Sequence, residues 1–312
     1  MGITDPYVYE RVSRCSEVPI QSPPGFSKLA VAFPSAAGNG SPMGDVTGVC
    51  YLPKSPGRSP LVVLVHGVGD SSTVPCHGLA RSLVRAGIAS FVIYLPIHSR
   101  RLPAGMKERF YQLTIEEWFE LYRVSVINIR QALDWAETRA DIDSSRMGVA
   151  GISFGGYVTG IALGVDDRLK SGAMLLACGN LEKVGFTRST RRIPRWDVSR
   201  EFYRASQKSY LDYIDEVDKL GLEQVVPPKS SYSFDPYTFA SKIRRKRVFL
   251  TNALWDEYFP REAAGEFLEA CGCPPHLWLP SGHATAWLFY PLIAKNVLKL
   301  FKGSFFDKLS TS

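Results

Sequence analysis

The amino-acid sequence predicts an α/β fold: a mostly parallel, doubly wound sheet with an inserted helical cap. Three observations carry that expectation. Apolar runs of strand length alternate with longer stretches of helical period. Some runs, such as "LVVLVHG" at 61–67, are continuously apolar, as strands buried on both faces must be. The stretch 183–242 interrupts the alternation, with helical periodicity and no core strand.

In chain order, "GDVTGVCYLP" (44–53) reads as an early strand and runs into the turn-rich "KSPGRSP". "LVVLVHG" is the next strand. "DSSTVPCHGLARSLVRAG" (70–87) offers serines as caps, a helical period and Gly87 as a stop. "IASFVIYLP" (88–96) returns to strand, and "TIEEWFELYRVSVINIRQALDWAETR" (114–139) repeats apolar residues three and four apart, an amphipathic helix. "RMGVAGIS" (146–153) and "SGAMLLACGN" (171–180) are strands with a glycine-rich helix start between them. "KRVFLTNALWD" (246–256) and "PPHLWLPSGH" (274–283) are two more, separated by the helix "PREAAGEFLEAC". "YPLIAKNVLKLFKG" (290–303) closes the pattern as a helix, so residues 1–312 read as one α/β domain.

Within 183–242, "SREFYRASQKSYLDYIDEVDKLG" (199–221) places apolar or aromatic residues at 202, 205, 211, 214, 217 and 220. An insertion of that size in a compact domain is usually functional. It is expected to form a helical cap over the carboxyl edge of the sheet, where open α/β sheets bind ligands.

Apolar residues make up 45% of the chain and charged residues 21%, enough for a sizeable core without disulfides or metals. The net charge of +7 is a mild basic excess. Its clusters "RSTRRIPR" (188–195) and "KIRRKR" (242–247) lack aromatic interleaving or a nucleic-acid-binding module and are expected to be solvated surface. A positive rim recruiting an anionic substrate is the other reading they allow. No stretch approaches the roughly 20 apolar residues of a membrane span. "MGITDPYVYERV" lacks a signal-peptide core, and Pro6 stands where a myristoylation motif needs Ser or Thr. A soluble, cytoplasmic protein is therefore expected, with no nucleic-acid partner. Cys15, Cys50, Cys76, Cys178, Cys271 and Cys273 form neither a redox nor a zinc pattern, so reduced thiols, no metal and no cofactor are expected.

The chemistry-bearing stretch is "GISFGG" (151–156). G-x-S-x-G alone is a weak pattern. Its position between an apolar strand and a helix gives it meaning, because so sharp a turn lifts the Ser153 hydroxyl clear of the sheet. The Phe154 amide then faces the same way, at a helix amino terminus. A serine hydroxyl needs a base to become a nucleophile. Of the five histidines, His276 lies within a strand, His77 in the first helix, His98 in a loop and His66 just before a loop glycine. His283, in "LPSGHATAW" after the last strand, is the candidate base. A base of this kind needs an acid to fix its tautomer, and Asp256 in "LTNALWDEYFP" stands just past the penultimate strand. The structural alternatives are a plain glycine turn around Ser153 and a helix cap at Asp256.

In these pieces, with "LVVLVHGVGDSS", "GISFGG", "LWDEYFP" and "SGHA", the chain resembles the α/β-hydrolase superfamily over almost its whole length. The nearest branch is that of carboxylesterases and dienelactone-hydrolase-like enzymes. The resemblance implies a chain order of nucleophile, acid and base filled by Ser153, Asp256 and His283. Some relatives carry the acid one strand earlier; here that position reads "ACGNLE", without an aspartate, which favours Asp256. The resemblance also implies an oxyanion hole from the backbone N–H groups of Val68 and Phe154. The H-G-G-G run of one lipase group is missing, and a serine at 153 excludes the aspartate chemistry of dehalogenases and epoxide hydrolases.

The function expected is hydrolysis of small or medium carboxylic esters through an acyl-enzyme. An amidase, peptidase or acyltransferase would use the same residues, and a non-catalytic binding protein on this fold is the reading of another class. Trp196, Tyr203, Tyr210, Trp255, Tyr258 and Trp287, beside Phe154, are candidates for the walls of the pocket, against the alternative that they pack the core.

Overall fold

The computed structural model of the chain describes residues 5–11, 14–37, 43–189 and 197–307. Among the described residues nine strands form one sheet: β1 (Ser16–Ile20), β2 (Phe26–Phe33), β3 (Val46–Pro53), β4 (Ser59–Val65), β5 (Ala89–Tyr94), β6 (Ile142–Ile152), β7 (Leu169–Leu175), β8 (Arg247–Ala253) and β9 (His276–Leu279). Their spatial order is β1-β2-β3-β5-β4-β6-β7-β8-β9. The pairs from β5 through β9 are all parallel, whereas β1, β2 and β3 join the sheet antiparallel.

The main helices are α1 (Thr73–Arg85), α3 (Ile115–Glu137), α4 (Phe154–Val165), α8 (Arg261–Ala270) and α9 (Tyr290–Phe306). A short α2 (Ala104–Glu108) precedes α3. Every residue of β4 is buried, and its side chains alternate between two cores. Leu61, Val63 and Val65 face the core shared with α3, α4 and α8. Val62 and Leu64 face the core shared with α1 and α9. Burial on both faces explains the unbroken apolar run, since each such side chain contributes about 1.5–3 kcal/mol when removed from water.

The long helix α3 starts where Thr114 closes a capping box, its hydroxyl accepting from the Glu117 amide while the Glu117 carboxylate accepts from the Thr114 amide. The segment 183–242 carries no strand among its described residues. It holds most of α5 (Leu181–Thr187), α6 (Arg200–Leu220), the start of α7 (Ala240–Arg244) and short 3₁₀ turns. Asp235 ties its later part to the start of α5 by accepting from the Asn180 and Leu181 amides, and it also accepts from the Tyr237 amide. The turn at 236–239 packs on α4, where Pro236 and Phe239 sit against the helix at Gly160 and Gly164.

From β4 the chain passes to β5 on one side of β4 and then to β6 on the other. The carboxyl ends of β4 and β6 therefore border the crevice at which a doubly wound sheet reverses direction.

Candidate active site

Val65 pairs with Gly151 across β4 and β6, so the loop His66-Gly67-Val68 and the turn at Ser153 leave the sheet side by side. Ser153 has φ 56° and ψ −119°, a conformation that L residues rarely adopt and that costs on the order of 1–3 kcal/mol. Two glycines make the turn possible. A Cβ at Gly155 would lie 2.6 Å from the His66 carbonyl oxygen, and one at Gly151 would collide with the Gly155 carbonyl. The Ser153 amide donates to the Leu175 carbonyl at 2.8 Å, anchoring the turn to β7.

The structure brings Ser153, His283 and Asp256 into one hydrogen-bonded row. His283 Nε2 lies 2.9 Å from Ser153 Oγ, and His283 Nδ1 lies 2.7 Å from Asp256 Oδ2. A carboxylate only accepts, so Nδ1 carries the proton and the Nε2 lone pair faces the hydroxyl. The second oxygen of Asp256, Oδ1, accepts from the Tyr258 and Phe259 amides, each at 2.9 Å. Asp256 is buried, while His283 keeps a partly open face. Its turn is held by the Glu257 carboxylate, which accepts from the His283 amide, and by Thr285, whose hydroxyl accepts from the Gly282 amide at 3.0 Å.

Beside the row, the Phe154 amide opens α4 and belongs to the helical turn whose N–H groups have no intrahelical acceptor. The direction of the other nearby amide, on Val68, is set by His66. The Leu95 amide donates to His66 Nε2 at 3.0 Å, which leaves the ring proton on Nδ1. Nδ1 donates to the Gly67 carbonyl at 2.7 Å, and Ser72 Oγ reaches the same oxygen at 2.7 Å. Across a trans peptide the N–H points opposite the carbonyl, so fixing the Gly67 oxygen aims the Val68 N–H away from it. Burial pushes the His66 pKa down to about 4, so the ring stays neutral and keeps this pattern. On the outer side of the loop, Asp70 accepts from the Ser99 amide at 2.9 Å.

The other candidates named from sequence are spread widely. The Tyr258 ring stands edge-on to His283 at 5.0 Å. Phe154 packs on Tyr122 at 5.2 Å and on Trp118 at 6.2 Å. Trp255 and Trp287 flank the Asp256 and His283 turns but are 67% and 71% exposed. Tyr203 stacks on Phe186 at 4.2 Å, and Tyr210 is buried against Tyr232, both within the inserted segment. Trp196 lies outside the described residues. Tyr122, Trp118 and Phe259, whose ring lies 5.9 Å from His283, were missed in sequence; the i, i+4 aromatic pair Trp118 and Tyr122 near the start of α3 was the available signal.

Among the described residues no three Cys, His, Asp or Glu side chains gather as a metal-ligand set, and no helix is long and apolar enough to cross a membrane. A surface groove of about 330 Å³ lined by Leu211, Ile214, Tyr237 and Arg245 contains no member of the row.

The family described as "Alpha/beta hydrolase domain containing 18" matches residues 41–227, a span that includes Ser153 and the His66 loop and ends before Asp256 and His283. No curated protein matches in sequence. Among solved structures, the acetyl xylan esterase from Paenibacillus sp. R4 superposes with a TM-score of 0.60 at 19% identity, covering 93% of this chain and 88% of that one. A cold-adapted esterase from an Arctic intertidal metagenomic library gives 0.54 at 14% identity, covering 92% and 100%. Puromycin hydrolase gives 0.57 at 19% identity, covering 93% of this chain and 39% of its own. At such identities the likeness is one of fold.

Proposed function

The chain belongs to this α/β-hydrolase family, and from that premise we propose that it is a serine hydrolase that cleaves carboxylic esters through an acyl-enzyme. The observation that carries the reading is the row Ser153–His283–Asp256, with the serine held at positive φ where its hydroxyl faces the imidazole. His283 Nε2 takes the hydroxyl proton as Ser153 Oγ attacks the ester carbonyl. The negative charge that develops on the carbonyl oxygen is met by the N–H groups of Val68 and Phe154, which are fixed before substrate arrives and so need no reorganisation.

Asp256 stabilises the imidazolium and keeps its proton donor pointed inward. His283 then gives the proton to the leaving alkoxide, and the alcohol departs. Water follows the same route: His283 deprotonates it, the acyl carbon is attacked, and Ser153 recovers its proton as the acid leaves. The inserted segment 183–242 acts in this reading as a cap. Its α5 end adjoins the turn of the acid, where the Ser189 amide donates to the Glu257 carbonyl at 3.3 Å.

The test is hydrolysis of a chain-length series of p-nitrophenyl esters, with the matching anilides in parallel. Ester turnover by the wild type that Ser153→Ala abolishes is the expected result. An inactive wild type, or an equally active alanine variant, overturns the reading, and faster anilide cleavage reassigns the enzyme as an amidase.

A further inference from the structure

Arg188 begins the basic cluster expected to be solvated surface, but its side chain is half-buried and its Nε is shielded from solvent without any hydrogen-bond partner. Other half-buried or buried arginines on the sheet and its helices are satisfied. Arg168 and Arg130 share Asp166, Arg139 meets Asp141 and Glu17, and Arg101 donates to Asn128 and backbone carbonyls. Among the described residues no carboxylate forms an ion pair with Arg188. The neighbour that favours its charge is the Tyr122 phenol, while burial pushes its pKa down. A desolvated cation without a counter-charge is costly to keep unless something supplies the charge.

Its position says what that something is. The next residue, Ser189, is bonded to Glu257, which follows Asp256 in the chain. Tyr122, the phenol that interacts with the Arg188 charge, packs its ring on Phe154, the residue after Ser153. Arg188 is thus tied through its neighbour's backbone to the acid turn, and its charge is felt by a ring in the aromatic wall of the nucleophile turn. The rings continuous with Tyr122 and Phe154 are uncharged: Trp118 packs on Phe154, Tyr157 on Tyr122 and Phe259 on Tyr157. A planar fork of N–H donors in such a wall matches the paired oxygens of a carboxylate or phosphate.

We infer that Arg188 is the receptor for an anionic oxygen group on the substrate, so that the preferred esters carry a carboxylate or phosphate in addition to the ester that is cleaved. This rests on the esterase reading above and narrows it to acidic esters. The neutral walls hold the carbon skeleton, and Arg188 fixes its orientation by pairing with the distal charge. Binding the anion gives the Arg188 Nε N–H the acceptor it otherwise lacks.

Matched substrates test it: phenyl butyrate against mono-phenyl glutarate for an anion at the acyl end, and phenyl butyrate against 4-carboxyphenyl butyrate and 4-phosphophenyl butyrate for one at the alcohol end. The wild type is expected to prefer the anionic member of at least one pair by about 10-fold or more in kcat/KM. Arg188→Met should collapse that preference by about 10- to 100-fold, and Arg188→Lys should retain part of it. Which pair responds identifies carboxylate or phosphate, and which end carries it. A second measurement needs no turnover: titration of Ser153→Ala with the preferred anionic ester, with and without Arg188→Met, should show binding lost with the guanidinium. Absence of any anionic preference, or an equal fall for neutral and anionic esters in Arg188→Met, overturns the inference while the ester reading stands. Absence of all ester turnover in the wild type overturns both.

Discussion

Asp256 grips His283 with one carboxylate oxygen and is itself gripped at the other. Oδ2 faces His283 Nδ1 at 2.7 Å while Oδ1 accepts two successive amides, from Tyr258 and Phe259. The acid is therefore oriented by its own turn before the histidine arrives, and the same turn fixes which ring nitrogen holds the proton.

This arrangement predicts the behaviour of Asp256→Asn. The two amides still require an acceptor, so the Asn oxygen takes the place of Oδ1 and its NH₂ is presented to His283. The imidazole must then carry its proton on Nε2, facing Ser153 with a donor where a base is needed. Turnover should fall by about 10⁴-fold with little change in melting temperature. Steady-state kinetics with a p-nitrophenyl ester checks this, and a drop below 10-fold would contradict the assignment of the acid.

Ser153→Ala should remove at least about 10⁴ of kcat, because the nucleophile and base act as one unit. Covalent labelling by a fluorophosphonate, read by intact-mass spectrometry, should add one adduct to the wild type at Ser153 and none to the variant.

His66 tests the amide of Val68 without touching the backbone. His66→Ala leaves the Leu95 N–H buried without its acceptor and removes one of the two donors on the Gly67 carbonyl, Ser72 being the other, at a stability cost of about 1–3 kcal/mol. If the Val68 donor is lost from its place, kcat should drop by about 10²–10³ with KM nearly constant. His66→Asn, whose amide can still reach the Gly67 oxygen, should recover part of kcat. Equal kcat in all three proteins would show that the loop is positioned by other contacts.

Asp235 gives a pH dependence of stability. Burial raises its pKa from 3.8 to about 6, outweighing the amides that favour its charged form. A carboxyl group with a raised folded pKa binds more protons in the native than in the unfolded state. Its contribution is fully present below about pH 4 and is lost as pH rises through about 6, an effect on the order of 2–3 kcal/mol. Urea melts at pH 5 and pH 7.5 should show a steeper loss of stability with rising pH in the wild type than in Asp235→Asn, which does not titrate.

The centre of the sheet was legible because β4 through β8 carry continuous apolar runs, and the starts of α3 and α6 lie within a residue or so of their capping Thr114 and Ser199. The antiparallel edge was not. β1 is the exposed sequence SEVPI, with a proline in it, and β2 shows only a broken alternation, so neither has the apolar signature of a buried strand. Within the site, Ser153, Asp256 and His283 could be named from strand ends, since each follows an apolar run. Arg188 could not. A basic residue among other basic residues reads as solvated, and only the folded chain, in which Ser189 is bonded to the Glu257 carbonyl, shows its partial burial.

The outermost strand of the other edge has a thermal consequence. β9 is four residues long, pairs on one side only, and is the segment from which His283 hangs. Short, one-sided strands open at a fraction of the free energy needed to melt a whole domain. The base should therefore leave the nucleophile while the central strands and helices persist, so that ester turnover fades reversibly some degrees below the loss of helical circular dichroism. Superimposable activity and dichroism curves would mean that β9 melts only with everything else.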